Sequence, residues 1–500
     1  MELPAKLLVL LGGFAATLQT VAALGQGDAD TVYHAFNNVF LKTSGNSAFY
    51  KARLNDSSPD GTWAGSLDIL VAEDYFDRTG DPATQTLVNN LLTTWLQNTP
   101  PPWSWDGWND DIGWFTLALI RGYQITGNQN FLTQAKYGYN YAFGRGWDTK
   151  HNDGGIWEQN EGYTNDLAKC ALSNDSLGKV ACLIYQSTND ATYLNQCIQI
   201  YDWVWNHIYD SGSGRVDACV APDGTVDHGT AAYNQGTFID YANLLWKITG
   251  NQNYKNDAAK AIAFAKTLTV NGIFSNGQDY LNTWADEVAR GVGNFAQNNG
   301  LWDTYYSWMV QNADAILANR RSDLGITSNA WNTPTSNDNT AMTNHFVSAV
   351  AWLQYTPATK PNGIGGIHII TNQQTGLAID SAGTFGNGKS VVQWGANGGQ
   401  SQKWLLSQNS DTSWNIISLS TWQALDCPNG ANTNNLTMVQ WQPSRNTNQR
   451  WWIDQQSDGS YKIWNQASKL ALDGASSKNN GAPLIQWGWD GETQQRWILH

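Results

Sequence analysis

Tyr123-Gln124-Ile125-Thr126-Gly127-Asn128 closes one amphipathic run, Ile112 to Ile125, and opens another. The phrase recurs as Tyr75-Phe76-Asp77-Arg78-Thr79-Gly80-Asp81 and as Trp246-Lys247-Ile248-Thr249-Gly250-Asn251. A degenerate copy is Tyr185-Gln186-Ser187-Thr188-Asn189-Asp190. Gly or Asn just past a helix suits a left-handed C-cap, and the Asn or Asp after it suits an N-cap. Each copy therefore reads as the tight turn of an αα-hairpin. Counting apolar-periodic runs predicts about eleven or twelve helices between Asp28 and Gln354. Repeated hairpins cannot bury their faces alone and must stack. A closed stack is a double-walled all-α toroid; an open solenoid is the alternative.

The connections opposite these turns are long: 100–109, 146–165 and 211–234. They carry Trp103, Trp105, Trp108, Trp147, Trp157, Tyr163, His228 and Tyr233. Long loops are uncommon unless functional. Flat aromatic faces among Asp, Asn and Gln are what a sugar site needs. Their convergence on one face favours the ring. About half of these tryptophans are expected to cap the core instead, because Trp is highly buried on average.

At one such junction stands Trp108-Asn109-Asp110-Asp111-Ile112-Gly113-Trp114-Phe115. Two carboxylates opening a helix can simply cap it. Here they follow a Trp-rich loop, on the long-loop face. Retaining glycosidases need two carboxyl groups about 5–5.5 Å apart, one ionised and one protonated. Adjacent residues at a helix start can meet that demand. Mutual repulsion raises one pKa while the helix N-terminus holds the other down.

The whole chain has 500 residues, 27 of them Trp, and a formal charge of −14. That length implies at least two domains. The negative charge argues against a nucleic-acid partner. From Gly366 onward, 8 Lys/Arg balance 8 Asp/Glu, so the excess charge lies entirely in the first 365 residues. Residues 1–23 read as a signal peptide: Lys6, an apolar run from Leu7 to Leu18, then Val21-Ala22-Ala23. A secreted, extracellular protein without membrane span or lipid anchor is expected.

Secretion permits disulfides. Cys182 and Cys197 lie at similar heights on either side of Asn189-Asp190, which favours a Cys182–Cys197 bridge nested within Cys170–Cys219; crossed and sequential pairings stay open. Cys427 is left over. Asn55, Asn174 and Asn435 fit the N-glycosylation acceptor pattern. No cluster demands a metal, and no cofactor is expected.

After a linker at 356–365, the chain repeats three times in steps of 46 or 47 residues. Leu377-Ala378-Ile379-Asp380 returns as Gln423-Ala424-Leu425-Asp426 and Leu470-Ala471-Leu472-Asp473. Gln402-Lys403-Trp404 returns as Gln449-Arg450-Trp451 and Gln495-Arg496-Trp497. Short alternating segments with Gly/Asn turns predict strands, and three such repeats a β-trefoil over 366–500.

Two resemblances sharpen these readings. The Asp110-Asp111 stretch resembles glycoside hydrolase family 76. So do Arg121-Gly122-Tyr123, Gly154-Gly155-Ile156-Trp157, Ser173-Asn174 and Tyr233-Asn234-Gln235-Gly236. The likeness covers most of 28–355 within a first domain at 24–355. It implies an (α/α)6 toroid that cleaves α-1,6-mannan by a retaining endo mechanism, with Asp110 as nucleophile and Asp111 as acid/base. Trp108, Asn109, Trp114, Trp157, Asn174, Tyr233, Asn234 and Gln235 are the candidate substrate contacts. Some relatives transfer mannan-type chains instead of hydrolysing them. The thrice-repeated Gln-x-Trp resembles the ricin B-type lectins. That implies sugar-binding sets Asp380, Trp394 and Ser401; Asp426, Trp441 and Asn448; Asp473, Trp487 and Gln494. The expected partners are α-mannan and a lectin glycan, for a monomer. A mannan transglycosylase, a hydrolase of another polysaccharide, and a carbohydrate-binding protein with an inactive toroid are the competing readings.

Overall fold

The computed structural model describes residues 24–160, 167–274, 285–361 and 363–500. The signal segment and Tyr163 lie outside the described residues. Twelve α-helices are described. They are α1 (Asp28–Phe40), α2 (Thr62–Thr79), α3 (Pro82–Asn98), α4 (Asn109–Thr126), α5 (Gln129–Gly146) and α6 (Ala171–Thr188). The rest are α7 (Ala191–His207), α8 (Ala232–Thr249), α9 (Gln252–Thr267), α10 (Asp286–Asn299), α11 (Trp302–Ala318) and α12 (Val347–Gln354). Each even-numbered helix packs on the next, and α12 returns to α2, so the inner wall closes. The odd-numbered helices pack outside it. The fold is the ring and not the solenoid.

The repeated phrase explains the geometry. Gly80, Gly127, Asn189 and Gly250 all take left-handed φ between 57° and 72° and end α2, α4, α6 and α8. Asp81, Asn128, Asp190 and Asn251 then cap α3, α5, α7 and α9 through their side chains. A fifth turn, at Gly300 (φ 63°), ends α10 in the same way. Five of the six inner helices thus run from the long-loop face to a tight turn.

A buried polar hub ties the inner wall together. Arg290, 1% exposed, donates to Asp74, Asp286 and Glu287. Lys179 bridges Glu287 and Asp240 at 3.0 and 2.9 Å. Arg121 pairs with Asp74 and Asp77 at 2.8 and 2.9 Å. The hub joins α2, α4, α6, α8 and α10. Breaking one partner of such a group leaves a buried uncompensated charge, a penalty of about 3–5 kcal/mol.

The second domain begins with the strand Gly366–Asn372, which pairs with the last strand, Arg496–Leu499. Trp404, Trp451 and Trp497 are fully buried, and their indole N–H groups donate to the carbonyls of Ile379, Leu425 and Leu472. Three equivalent bonds from three equivalent tryptophans make this the threefold core of the trefoil.

The trefoil docks on the tight-turn face. Helix C-termini leave carbonyls without intrahelical partners. Arg450 donates to the Thr79 carbonyl at 2.7 Å, Gln442 to Tyr123 at 3.3 Å and Gln400 to Ile248 at 3.2 Å. Arg450 and Gln400 therefore cap α2 and α8, and Gln442 adds a second bond to the Tyr123 carbonyl, which already accepts from Gly127 N–H. Leu405, Leu419 and Trp422 join the toroid's apolar cluster. Residues just before the trefoil also lie on the toroid, with Ala358 accepting from Tyr306 and Thr359 from Gln26. Among the described residues, no helix is long and apolar enough to cross a membrane.

Candidate active site

The long-loop face is assembled around the start of α4. Trp108 is its N-cap residue, and Asp110 and Asp111 fill the first turn. The segment around Gln159 lies antiparallel to Trp108. Asn109 N–H donates to the Glu158 carbonyl, and Asn160 N–H to that of Gly107, both at 2.7 Å.

Three amides lock the loops to the inner helices. Asn109 is fully buried; its Nδ2 donates to the Trp157 carbonyl and its Oδ1 accepts from Arg145 Nε. Asn174 accepts from Ile156 N–H at 2.8 Å and donates to the carbonyls of Ile156 and Cys170 at 3.0 and 2.8 Å. Gln235 makes the equivalent pair with Val216, at 3.3 and 2.9 Å. The sequence reading assigned all three to substrate. Their polar atoms are committed to backbone and, for Asn109 Oδ1, to Arg145, so they position the site instead of lining it. Trp114 is also corrected: it is 3% exposed and belongs to the apolar core. Asn234 differs from its neighbours, because its Oδ1 is buried with no hydrogen-bond partner. Tyr233 is half-buried beside it.

Lys169, fully buried, organises the 146–160 loop. Its ammonium donates to the carbonyls of Asp148, His151 and Gly154 and lies 4.6 Å from the Trp157 ring centre. Gly155 has φ +88°, and a Cβ there would collide with the Trp203 indole. That is why the loop carries Gly154-Gly155. Trp157 (7% exposed) and Trp103 (0%) are mostly core, whereas Trp108 (38%) and Trp105 (47%) present open faces.

Two disulfides brace this region. Cys182–Cys197 joins α6 to α7, and Cys170–Cys219 joins the strands Lys169–Cys170 and Cys219–Val220. Glu158 Oε2 lies 3.9 Å from Cys219 Sγ. Asn174 is buried and clamped, so that sequon cannot carry a glycan; Asn55 and Asn435 are exposed.

The carboxyl groups are not equivalent. Burial pushes Asp110 up to about 7, while the backbone N–H groups of Asp111 and Asp110 pull it down. Burial pushes Asp111 further, to about 9, and the charges of Asp110, Asp106 and Glu158 add to the rise. Glu158 is raised to about 8 by burial and then by Asp110. The group facing the helix N-terminus ionises first, and its neighbour keeps its proton. Sequence reasoning missed Glu158; its one signal was an acidic residue directly after Gly154-Gly155-Ile156-Trp157.

In the lectin, the motif glutamines have a task that the sequence did not assign. Gln402, Gln449 and Gln495 donate to Asp380, Asp426 and Asp473 at 2.8–3.0 Å. Trp394, Trp441 and Trp487 sit diagonally across the strand pair from these aspartates and are 40–45% exposed. In the first and third sets, the other aspartate oxygen accepts from Ala382 or Ala475 N–H. In the second set, Asn448 donates to Asp426 Oδ2 at 2.9 Å, and Oδ1 has no protein donor. The second pocket has the freest acceptor. Ser401 and Gln494 make no side-chain bond to the aspartate of their own sets.

Residues 29–361 match the family model for glycosyl hydrolase family 76. Residues 351–499 match, in three overlapping copies, the ricin-type beta-trefoil lectin domain-like model. The chain is similar to the α-1,6-mannanase of family 76 from Salegentibacter sp. HEL1_6, at 23% identity and a TM-score of 0.59, over 66% of this chain and 98% of that one. An inactive variant of that mannanase, with two consecutive aspartates replaced, is described in complex with α-1,6-mannotriose. A family 76 mannosidase from Bacteroides thetaiotaomicron VPI-5482 superposes with a TM-score of 0.54 at 17% identity, over 66% of this chain and 96% of that one. A curated relative, a D-mannose isomerase from Marinomonas mediterranea, is 29% identical over 134 residues; the match spans 23% of this chain and 32% of that relative's length.

Proposed function

The chain belongs to glycosyl hydrolase family 76, and from that premise we propose that it is a secreted, retaining endo-hydrolase of α-1,6-mannan carrying a glycan-binding module. The observation that carries this reading is the adjacent pair at the start of α4, one carboxyl served by backbone N–H groups and the other not. Asp110, the first to ionise, attacks the anomeric carbon. Asp111, still protonated, gives its proton to the departing glycosidic oxygen. Asp111 then takes a proton from water, which displaces the Asp110 ester and regenerates both groups. The neighbouring Asp110, Asp106 and Glu158 raise Asp111 further and so keep it protonated. Trp108 and Trp105 offer stacking faces at the lip, and Asn234 Oδ1 offers a free acceptor.

The mannan substrate is supported by the mannanases that share this fold. Secretion is supported by the two disulfides and by the N-terminal sequence. α4 has 18 residues, which at 1.5 Å each put about 27 Å between the catalytic pair and the docked trefoil. The lectin therefore anchors the enzyme to a different stretch of glycan from the one being cut. The test is NMR of the first product formed from linear α-1,6-mannan, with and without added mannooligosaccharide acceptor. An α-configured reducing end supports retention. A β-configured first product overturns it, and dominant transfer to the acceptor identifies a transglycosylase instead.

A further inference from the structure

A cavity of about 490 Å³ lies on the opposite side of the hub from the aspartate pair, between the tight-turn face and the trefoil. Its toroid wall includes Asp77, Arg121, Lys179, Asp240, Lys247 and Arg290; its lectin wall includes Trp422, Gln423 and Arg445. A volume of this size suits a small organic ligand.

The polar groups facing the cavity are unevenly satisfied. Asp240 is paired with Lys179, and Asp77 with Arg121 and, at 3.5 Å, with Arg445. Arg290 is saturated by Asp74, Asp286 and Glu287. What remains is cationic or donating. Arg121 Nη1 and Trp422 Nε1 are buried without hydrogen-bond partners. Lys247 has no ion-pair partner among the described residues. Both orphaned atoms of the lining are N–H donors, and the unpaired charge beside them is positive. Leaving buried donors unpaired is costly, so the wall favours acceptors.

The three repeats supply an internal control. Trp422 adopts φ 58° at a turn position where the first repeat has Gly376 (φ 71°) and the third Lys469 (φ 63°). The next residue is Leu377 or Leu470 in those repeats but Gln423 in the second. A bulky aromatic in the left-handed region is unusual. Of the three, it is the copy facing the toroid that carries it. The indole packs in the toroid's apolar cluster and lines the cavity, and its N–H is buried without a hydrogen-bond partner.

We propose that this interdomain chamber binds a small organic anion, a sugar-sized phosphate or carboxylate, held by Lys247, Arg121 and Trp422. The site is separate from the glycosidase cleft, and it borders the second lectin set through Gln449, which lines the cavity and donates to Asp426. It bonds to both domains at once, so occupancy stabilises their docking. The test uses the full chain and isothermal titration with inorganic phosphate and with glucuronate, ionic strength being matched with NaCl. Lys247→Met, Trp422→Phe and the exposed-site control Lys389→Met are compared by the same titration, with circular dichroism to verify folding. Saturable binding by at least one anion is expected, about tenfold weaker in Lys247→Met, weaker again than wild type in Trp422→Phe, and unchanged in the control. Which anion binds distinguishes phosphate from carboxylate recognition. No saturable binding to wild type, or equal binding by Lys247→Met and Trp422→Phe, overturns the proposal.

Discussion

Asn174→Ala separates a positioning residue from a substrate contact. The amide makes three hydrogen bonds, to Ile156 N–H, Ile156 C=O and Cys170 C=O. Both partner residues are themselves buried, at 0% and 2% exposure. Truncation therefore strands three backbone groups away from water. Each unsatisfied buried group costs about 1–3 kcal/mol, and partial relaxation of the loop brings the total to about 3 kcal/mol. For a domain of this size that is a fall in Tm of about 4 °C. The loop from Gly154 to Glu158 also loses its anchor, and Glu158 carries the carbonyl that receives Asn109 N–H beside the catalytic pair. The expected result, from differential scanning calorimetry and steady-state kinetics, is a lower Tm together with a lower kcat. Asn234→Ala is the control: its Oδ1 has no partner to lose, so KM should rise with Tm unmoved. If Asn174→Ala raises KM while Tm stays within about 1 °C of wild type, a shift too small for one lost buried bond, the clamp reading is refuted and Asn174 touches sugar.

Three further outcomes are expected. Turnover plotted against pH should be bell-shaped, rising as Asp110 ionises near 7 and falling as Asp111 ionises near 9; a flat profile between those values counts against the role assignment. Burial pushes Asp60 up to about 6, and Asp68, with Asp60 beside it, well above the carboxylate range. Folded pKa values above the unfolded ones mean that this pair stabilises fully only below about pH 4, a contribution lost as pH rises through the folded values. Asp68→Asn should thus gain stability in urea unfolding at pH 8 and nothing at pH 4; an equal effect at both pH values would show that the pair does not share a proton. Trp394→Ala, Trp441→Ala and Trp487→Ala should each spare soluble oligomannan and slow release from insoluble wall material, most for Trp441, whose set has the freest aspartate; equal losses on both substrates argue against anchoring. Point changes are preferable to deleting the trefoil, because Arg450 and Gln400 cap toroid helices.

The ring was legible because its turns are local. Gly127 and Asn128 state a cap geometry on their own, and four copies give the hairpin repeat. The fifth turn, at Gly300, escaped because Gln297-Asn298-Asn299 lacks the Thr of the other copies. The trefoil was legible because Trp404, Trp451 and Trp497 recur at a fixed step. What sequence could not give is the partner of a polar side chain. Asn109, Asn174 and Gln235 have the right chemistry for sugar and equally the right chemistry for a backbone clamp. Only the loop's path decides between them. Asp286, Glu287 and Arg290 drew no reading from the sequence; closure of the ring turns Arg290 inward to Asp74, more than two hundred residues away in sequence. Glu158 was hidden for the same reason, since its approach to Asp110 depends on the antiparallel contact between Trp108 and Gln159.

The most direct test is the initial rate on linear α-1,6-mannan for the wild-type chain, Asp110→Asn and Asp111→Asn, each verified as folded by its Tm. The wild type should release oligosaccharides from within the chain, and each variant should lose at least about a thousandfold in turnover while keeping its Tm, as expected when one member of a catalytic unit is removed. Either variant retaining turnover within about tenfold of wild type, less than about 1.4 kcal/mol of barrier, would contradict the assignment of the pair as nucleophile and acid/base.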